Sequence, residues 1–226
     1  MEVLYEDNHL IAVNKANSEI VQSDKTGDVP LNDKIKAYLK TKYNKSGNVF
    51  LGVVHRIDRP VSGAVLFART SKALTRMNEM FKQKTVKKTY WAIVKNHPPE
   101  DQDTLVHFLT RNIKQNKCYA YDHEVADSKK SILTYKLIAK SENYFLLEID
   151  LQSGRHHQIR CQLAKIGCPV KGDLKYGFPR SNPDAGISLH SRSLSFIHPV
   201  SEEPVIITAD PPKDSLWITF KALLNK

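Results

Sequence analysis

From Ile132 to Gln152 the chain reads ILTYKLIAKSENYFLLEIDLQ, two runs rich in branched and aromatic residues on either side of a Ser-Glu-Asn turn. Such side chains pack well on a pleated surface, and a short polar turn folds the second run back against the first. TLVHFLT, from Thr104, precedes them, so the middle of the chain (104 to 151) is expected to be mostly β. The N-terminus has the same character: EVLYE and HLIAVNK flank an Asp-Asn pair and predict a hairpin.

Helical spacing appears between these β segments. From Pro30 to Tyr43, Leu31, Ile35, Tyr38 and Leu39 recur on one side, with a lysine-rich outer face and Pro30 suited to the first turn. Strands are expected near 49–54 and 63–69. Ser71 is placed to cap a helix carrying Leu74, Met77 and Phe81, after which KTYWAIVK returns to strand. Ser153 and Gly154 are expected to open a helix over RHHQIRCQLAKI, with Ile159, Leu163 and Ile166 on one face and Gly167 ending it. Beyond a loop at 172–186, two or three strands and a closing helix after Pro211-Pro212 complete the chain. Hairpin-like strands with interspersed helices predict an α+β fold on a mostly antiparallel or mixed sheet, one domain spanning 1–226.

The composition, 41% hydrophobic and 26% charged, excludes an intrinsically disordered chain. The formal charge of +10 favours polyanionic partners, nucleic acid first, although a solubilising surface charge is the plainer alternative. The three cysteines, at 118, 161 and 168, have neither an even count nor C-x-x-C spacing, so reduced thiols are expected rather than a disulfide framework or zinc ribbon. The acidic N-terminus has only a short apolar run and no segment approaches a membrane span, which together predict a cytoplasmic protein.

Three stretches carry candidate chemistry. VVHRIDRPVSGAVLFART, residues 53 to 70, places His55, Arg56, Asp58 and Arg59 between two apolar runs, which would hold Asp58 at the rim of a sheet. An aspartate that caps the turn or pairs with Arg56 or Arg59 is the structural alternative. A kinase catalytic loop is excluded: Ile57 separates Arg56 from Asp58, and neither a Gly-rich phosphate loop nor D-F-G is present. In LQSGRHHQIRCQLAKIGCPVKGDLKYG, from Leu151, Arg160 falls one helical turn after His156, either held by an apolar face or on a solvated basic one. His156, His157 and Cys161 do not form a recognisable metal motif, because adjacent helical histidines point about 100° apart. In KKTYWAIVK, period-two alternation puts Tyr90, Ala92 and Val94 opposite Trp91 and Ile93, so Tyr90 is a core tyrosine or a ring that stacks on a planar ligand.

Taken in order, HRIDRPVSGAVLFART, KKTYWAIV, SGRHHQIRCQLAKIGCPVKGDLKYG and LHSRSLSFIHP resemble the sequence blocks of RluA-type pseudouridine synthases, and the likeness runs from LYEDNHLIAVNK to the Pro-Pro segment. The resemblance implies a central sheet flanked by helices around an RNA-binding cleft. It also implies isomerisation of uridine in RNA, ribosomal or transfer, without cofactor or metal. Motif by motif, Asp58 corresponds to the catalytic aspartate, Tyr90 to the residue that stacks on the target uracil, and Arg160 to the arginine that holds the carboxylate. Arg56 corresponds to the residue that fills the space of the flipped base, and Arg155 and His157 take supporting, RNA-binding roles. A cytoplasmic monomer is expected.

The chain departs from the family where D-x-x-T-S-G becomes DRPVSG, with Val61 in place of a threonine, and where K-P-A-G becomes KANS. Cys161 and the second histidine of GRHHQIR are smaller variations, and no S4-type domain is recognised ahead of the motifs, so this domain is expected to recognise RNA unaided. A non-catalytic RNA-binding protein of the same fold is the second reading, and a metal-dependent nucleic-acid hydrolase the third.

Overall fold

The computed structural model describes residues 1–24 and 26–225. In chain order its elements are β1 (Glu2–Glu6), β2 (Leu10–Lys15), α1 (Leu31–Lys42), β3 (Gly52–Val53), β4 (Ser62–Ala68), α2 (Ser71–Gln83), β5 (Lys87–Val94), β6 (Gln102–Asn112), β7 (Lys117–Tyr121), β8 (Lys129–Lys140), β9 (Phe145–Leu151), α3 (Gln158–Lys165), a 3-10 turn (Leu174–Tyr176), β10 (Leu189–Ile197), β11 (Pro204–Thr208) and α4 (Ser215–Leu224). The arrangement is α+β, as the alternating strand and helix patterns predict. The described residues form two compact units, Met1–Val86 with Ser191–Asp210, and Lys87–His190 with Pro211–Lys226.

In the first unit the strands run β1-β2-β4-β10, with β3 also on β4 and β11 on β10. Side chains alternate across this sheet. Leu10, Ala12, Ala64, Leu66 and Ala68 join Ala73 and Met77 of α2, while Ile11, Val13, Val65 and Phe67 join Leu31, Ile35 and Leu39 of α1. Both faces are therefore covered, which is why β2 and β4 read as nearly continuous apolar runs. Each buried aliphatic side chain of α1 contributes roughly 1.5–3 kcal/mol over exposure. Pro30 precedes α1 in extended conformation, and Lys40 and Lys42 in its last turn complement the helix dipole. Thr70, rather than Ser71, caps α2: its hydroxyl accepts from the Ala73 amide, because the helix starts one residue earlier than expected.

In the second unit the order is β5-β9-β8-β6-β7. The pairs β5–β9, β8–β9, β6–β8 and β6–β7 are all antiparallel. Trp91 and Ile93 of β5 pack with Leu146, Trp217 and Phe220, so α4 covers the face opposite Tyr90 that the alternation predicts. Asp214 caps α4 by accepting from the Leu216 and Trp217 amides. Strand β7, KCYAY, has no counterpart in the expected elements. The largest correction concerns α3, which begins at Gln158 and not at Ser153-Gly154: His157 takes the left-handed conformation, φ +50°, and breaks the helical path before it. His156 therefore lies off the helix, and the expected i, i+4 relation to Arg160 does not exist.

Candidate active site

In the first unit the HRID segment is built where β3 stops. β3 pairs with β4 only at Gly52↔Ala68 and Val53↔Phe67, and the next strand donor on that edge of β4 is the Leu66 amide. His55 takes the place of the missing strand: its Nε2 accepts from Leu66 N at 3.0 Å, and its ring stacks on Phe81 of α2 with centroids 5.0 Å apart. Val54 packs into the core on the α2 side, and Ile57 into the core on the α1 side. Two apolar anchors and one imidazole thus fix the loop. Arg56 is exposed, and Asp58 is half-buried with its carbonyl accepting from Val61 N at 3.0 Å.

A second support comes from β2. Lys15 is fully buried, and its Nζ donates to the carbonyl oxygens of Ala16 (3.0 Å), Glu19 (2.8 Å) and Arg59 (3.0 Å). Burial pushes this ammonium down to about 7, against the attraction of the Glu19 and Asp58 carboxylates. Three carbonyl acceptors match the three protons of the charged form. Arg59 also accepts from the Ser18 amide at 3.0 Å through its carbonyl, while its side chain pairs with Asp28 at 2.7 Å.

The KANS and DRPVSG departures have visible consequences. Ser18, where the family's K-P-A-G has its glycine, has φ +68°, a left-handed conformation that glycine adopts more readily than a residue with a Cβ. Val61 is 2% exposed, so the side chain that replaces the threonine is buried. Gly63 is required: its φ is +115°, and a Cβ there would lie 2.3 Å from the Ser191 carbonyl oxygen.

In the second unit, Tyr90 lies on β5 opposite Ile149 and is 7% exposed. The SGRHHQIR segment leads into α3, whose residues Gln158 to Leu163 are all buried. Gln158 anchors the entry: its Oε1 accepts from Ser153 Oγ (2.9 Å) and Arg155 N (3.0 Å), and its Nε2 donates to the Ile132 carbonyl (3.1 Å) and Gln162 Oε1 (3.0 Å). Gln162, fully buried, continues to His107 Nδ1 at 3.0 Å. Buried amides are tolerated here because their donors and acceptors are matched. Arg155 keeps its side chain exposed.

Arg160 is 4% exposed, which removes the solvated-face alternative. Its Nε donates to Asp173 Oδ2 at 2.6 Å and its Nη2 to Asp173 Oδ1 at 2.9 Å, while the Tyr176 ring lies 5.1 Å from the guanidinium carbon. Tyr176 has a further task. Its hydroxyl accepts from Cys118 N at 2.8 Å, so its own proton goes to His157 Nδ1 at 3.0 Å and the ring proton of His157 is assigned to Nε2. Burial, then the Arg160 and His156 charges, holds His157 down at about 2. His157 is therefore neutral and accepts at Nδ1, and its ring stacks on His156 with centroids 3.8 Å apart.

The three cysteines are all buried. Among the described residues no group of three or more His, Cys, Asp or Glu is arranged to hold a metal ion. Nor is any described helix long and apolar enough to cross a membrane. The sequence patterns missed Lys15, Asp173 and Tyr176 as supports. The GDLKYG turn lay within a recognised block, but its acid and its ring gave no local sign that they face α3.

The family model described as RNA pseudouridylate synthase matches residues 9–165. This chain belongs to that family. Among relatives, an uncharacterized RNA pseudouridine synthase of Synechocystis is 33% identical over 94% of this chain, and this chain covers 65% of its length. The ribosomal large subunit pseudouridine synthase D of Xylella fastidiosa is 32% identical over 95% of this chain and 67% of the relative. Among solved structures, the human RNA pseudouridylate synthase domain containing 4 protein matches with a TM-score of 0.80 at 19% identity, covering 99% of this chain and 93% of that one. That likeness shows a shared pseudouridine synthase fold. The residues matched by the family model contain Asp58, Tyr90 and Arg160, whereas Asp173 and Tyr176 lie beyond them.

Proposed function

We propose that this protein converts uridine to pseudouridine in RNA, with residues 1–226 working as one catalytic domain. The observation that carries this is the presence of Asp58, Tyr90 and Arg160 together inside the 9–165 family match, each in its own motif. By that motif correspondence Asp58 is the catalytic aspartate, Tyr90 stacks on the uracil, and Arg160 holds the carboxylate. Arg56 occupies the space left by the flipped base, and Arg155 and His157 support RNA binding. Ribosomal RNA is the first candidate substrate, since the Xylella fastidiosa relative is named for the large ribosomal subunit. Transfer RNA is the second. The protein would act in the cytoplasm as a monomer, without metal or cofactor.

The reaction breaks the N1–C1′ bond, turns the uracil and joins C5 to C1′, with the C5 proton released and N1 regaining one. A carboxylate can serve either by attacking the sugar carbon or by removing a sugar proton. Its target atom is inaccessible in a base stack, so the nucleotide must be extruded, which costs a few kcal/mol in a duplex and less in a loop. A wedge at Arg56 would offset part of that cost, and its exposure on an anchored loop suits it to the task.

The test is to map pseudouridines in RNA from cells with and without the protein, then with the Asp58→Asn variant. Loss of one or more sites in both deficient strains, with RNA binding retained by the variant, is expected. A full complement of sites in the Asp58→Asn strain would overturn the mechanism and favour a binding role for the fold.

A further inference from the structure

Beyond the residues matched by the family model, the turn at 172–178 makes an ordered frame. The Asp173 amide donates to the Val170 carbonyl at 3.0 Å, and the Asp173 carbonyl accepts from Tyr176 N (3.1 Å) and Phe178 N (3.0 Å). Gly172, at φ +87°, lets Asn182 approach so closely that a Cβ would lie 2.7 Å from its side chain, and Lys171 Nζ donates to the same Asn182 at 2.6 Å. The carboxylate of Asp173 thus rises from a pinned backbone and is 1% exposed.

Its two oxygens meet two different nitrogens of Arg160, Nε and Nη2. A single hydrogen bond would leave the guanidinium plane free to turn about the Cδ–Nε bond, whereas a parallel pair fixes both the plane and its in-plane direction. The guanidinium carbon also lies over the Tyr176 ring, 5.1 Å from its centroid.

We infer that Asp173 is a positioning residue for the reaction: its carboxylate sets the direction in which Arg160 presents the rest of its guanidinium. The inference rests on the reading of Arg160 as an active-site arginine. Asp173 itself takes no part in bond making. A pair that merely stapled the turn to α3 would support folding without controlling the rate of the chemical step.

The experiment compares wild type, Asp173→Asn, Asp173→Glu, Arg160→Lys and the double variant Asp173→Asn/Arg160→Lys. The substrate is RNA labelled with tritium at uracil C5, taken from cells lacking the protein, because joining C5 to C1′ releases that tritium to water. With RNA saturating, Asp173→Asn is expected to slow release by about 100-fold, the scale of a misplacement of roughly 1 Å, while the Kd for RNA stays within about threefold. The double variant should be no slower than Arg160→Lys alone, since the aspartate acts only through the arginine. If Asp173→Asn shows no cooperative melt, Asp173→Glu keeps the charge and both acceptors but shifts the fork by one methylene, and the same loss of rate is expected. A folded variant of either kind with a rate within about threefold of wild type overturns the inference, as do effects that multiply in the double variant.

A second readout does not use the reaction. In protein labelled with nitrogen-15 arginine, the Arg160 Nη protons should give separate, slowly rotating signals in wild type and averaged signals in Asp173→Asn. Averaged signals in wild type would overturn the inference. Wild-type protein that releases no tritium would instead defeat the proposed activity, with the arginine signals still deciding whether Asp173 fixes Arg160.

Discussion

Nζ of Lys15 donates to the carbonyl oxygen of Arg59 at 3.0 Å, so the last residue of β2 is tied to the turn that carries Asp58. The same ammonium holds the carbonyls of Ala16 and Glu19. Replacing Lys15 by Met keeps the stem and leaves three acceptors without their donor. The expected loss is about 3 kcal/mol, near 1 kcal/mol for each buried acceptor, and urea unfolding should show a lower midpoint with an unchanged slope. A wild-type midpoint would mean that the three bonds contribute nothing net.

Ser18 holds a positive φ that glycine adopts without strain. Ser18→Gly should raise stability by about 0.5–1 kcal/mol, the left-handed penalty less the extra freedom of an unfolded glycine. The measurement is the thermal midpoint, which should rise by a few degrees. A fall would show that a contact of the serine side chain outweighs the backbone strain.

His157 gives the fold an acid-sensitive component. Its folded value lies near 2 and its ordinary value near 6.5, so between these limits the unfolded chain binds the proton and the folded chain does not. Stability from this group is therefore complete above about pH 6.5 and is lost as pH falls, at about 1.4 kcal/mol per unit. His157→Asn keeps an acceptor for the Tyr176 hydroxyl and tolerates the left-handed backbone. From about pH 7 to about pH 5 the wild type should lose about 2 kcal/mol more than this variant in denaturant titrations. Parallel losses would place the acid sensitivity elsewhere.

The net charge of +10 predicts a strong salt response. RNA affinity should fall by about a hundredfold or more between about 50 mM and about 200 mM salt, as phosphate-bound counterions are released. A filter-binding series would give the slope, and a flat one would deny the lysine-rich surfaces a role in binding.

Much of the fold was legible because its strands alternate cleanly or run apolar between two covering helices. β2 and β4 are of the second kind, and Tyr90 opposite Trp91 is of the first. The failure at α3 has a local cause. Apolar spacing of Ile159, Leu163 and Ile166 is visible in sequence, but the positive φ of His157 and the amide of Gln158 that anchors the entry leave no periodic trace. Lys15 was hidden for another reason: a lysine ordinarily reads as surface, and its partners are main-chain carbonyls that every residue carries. Asp173 and Tyr176 were in view but mute, because an acid next to a glycine gives no sign of which cation it meets. The HRID aspartate acquired meaning only through distant blocks, yet the loop under it is explained by neighbours: Val54, His55 and Ile57 are its anchors.

The imidazole of His55 standing where a strand carbonyl would be gives this protein an internal reporter. An amide in the middle of a buried strand normally exchanges its proton only when the sheet opens. The Leu66 amide is different, since its acceptor belongs to the loop that leads to Asp58. Its exchange rate and proton chemical shift therefore follow the loop while the neighbouring strand amides follow the sheet. One cross-peak, needing no label on the RNA and no mutation, would then show whether the loop shifts when a uridine arrives.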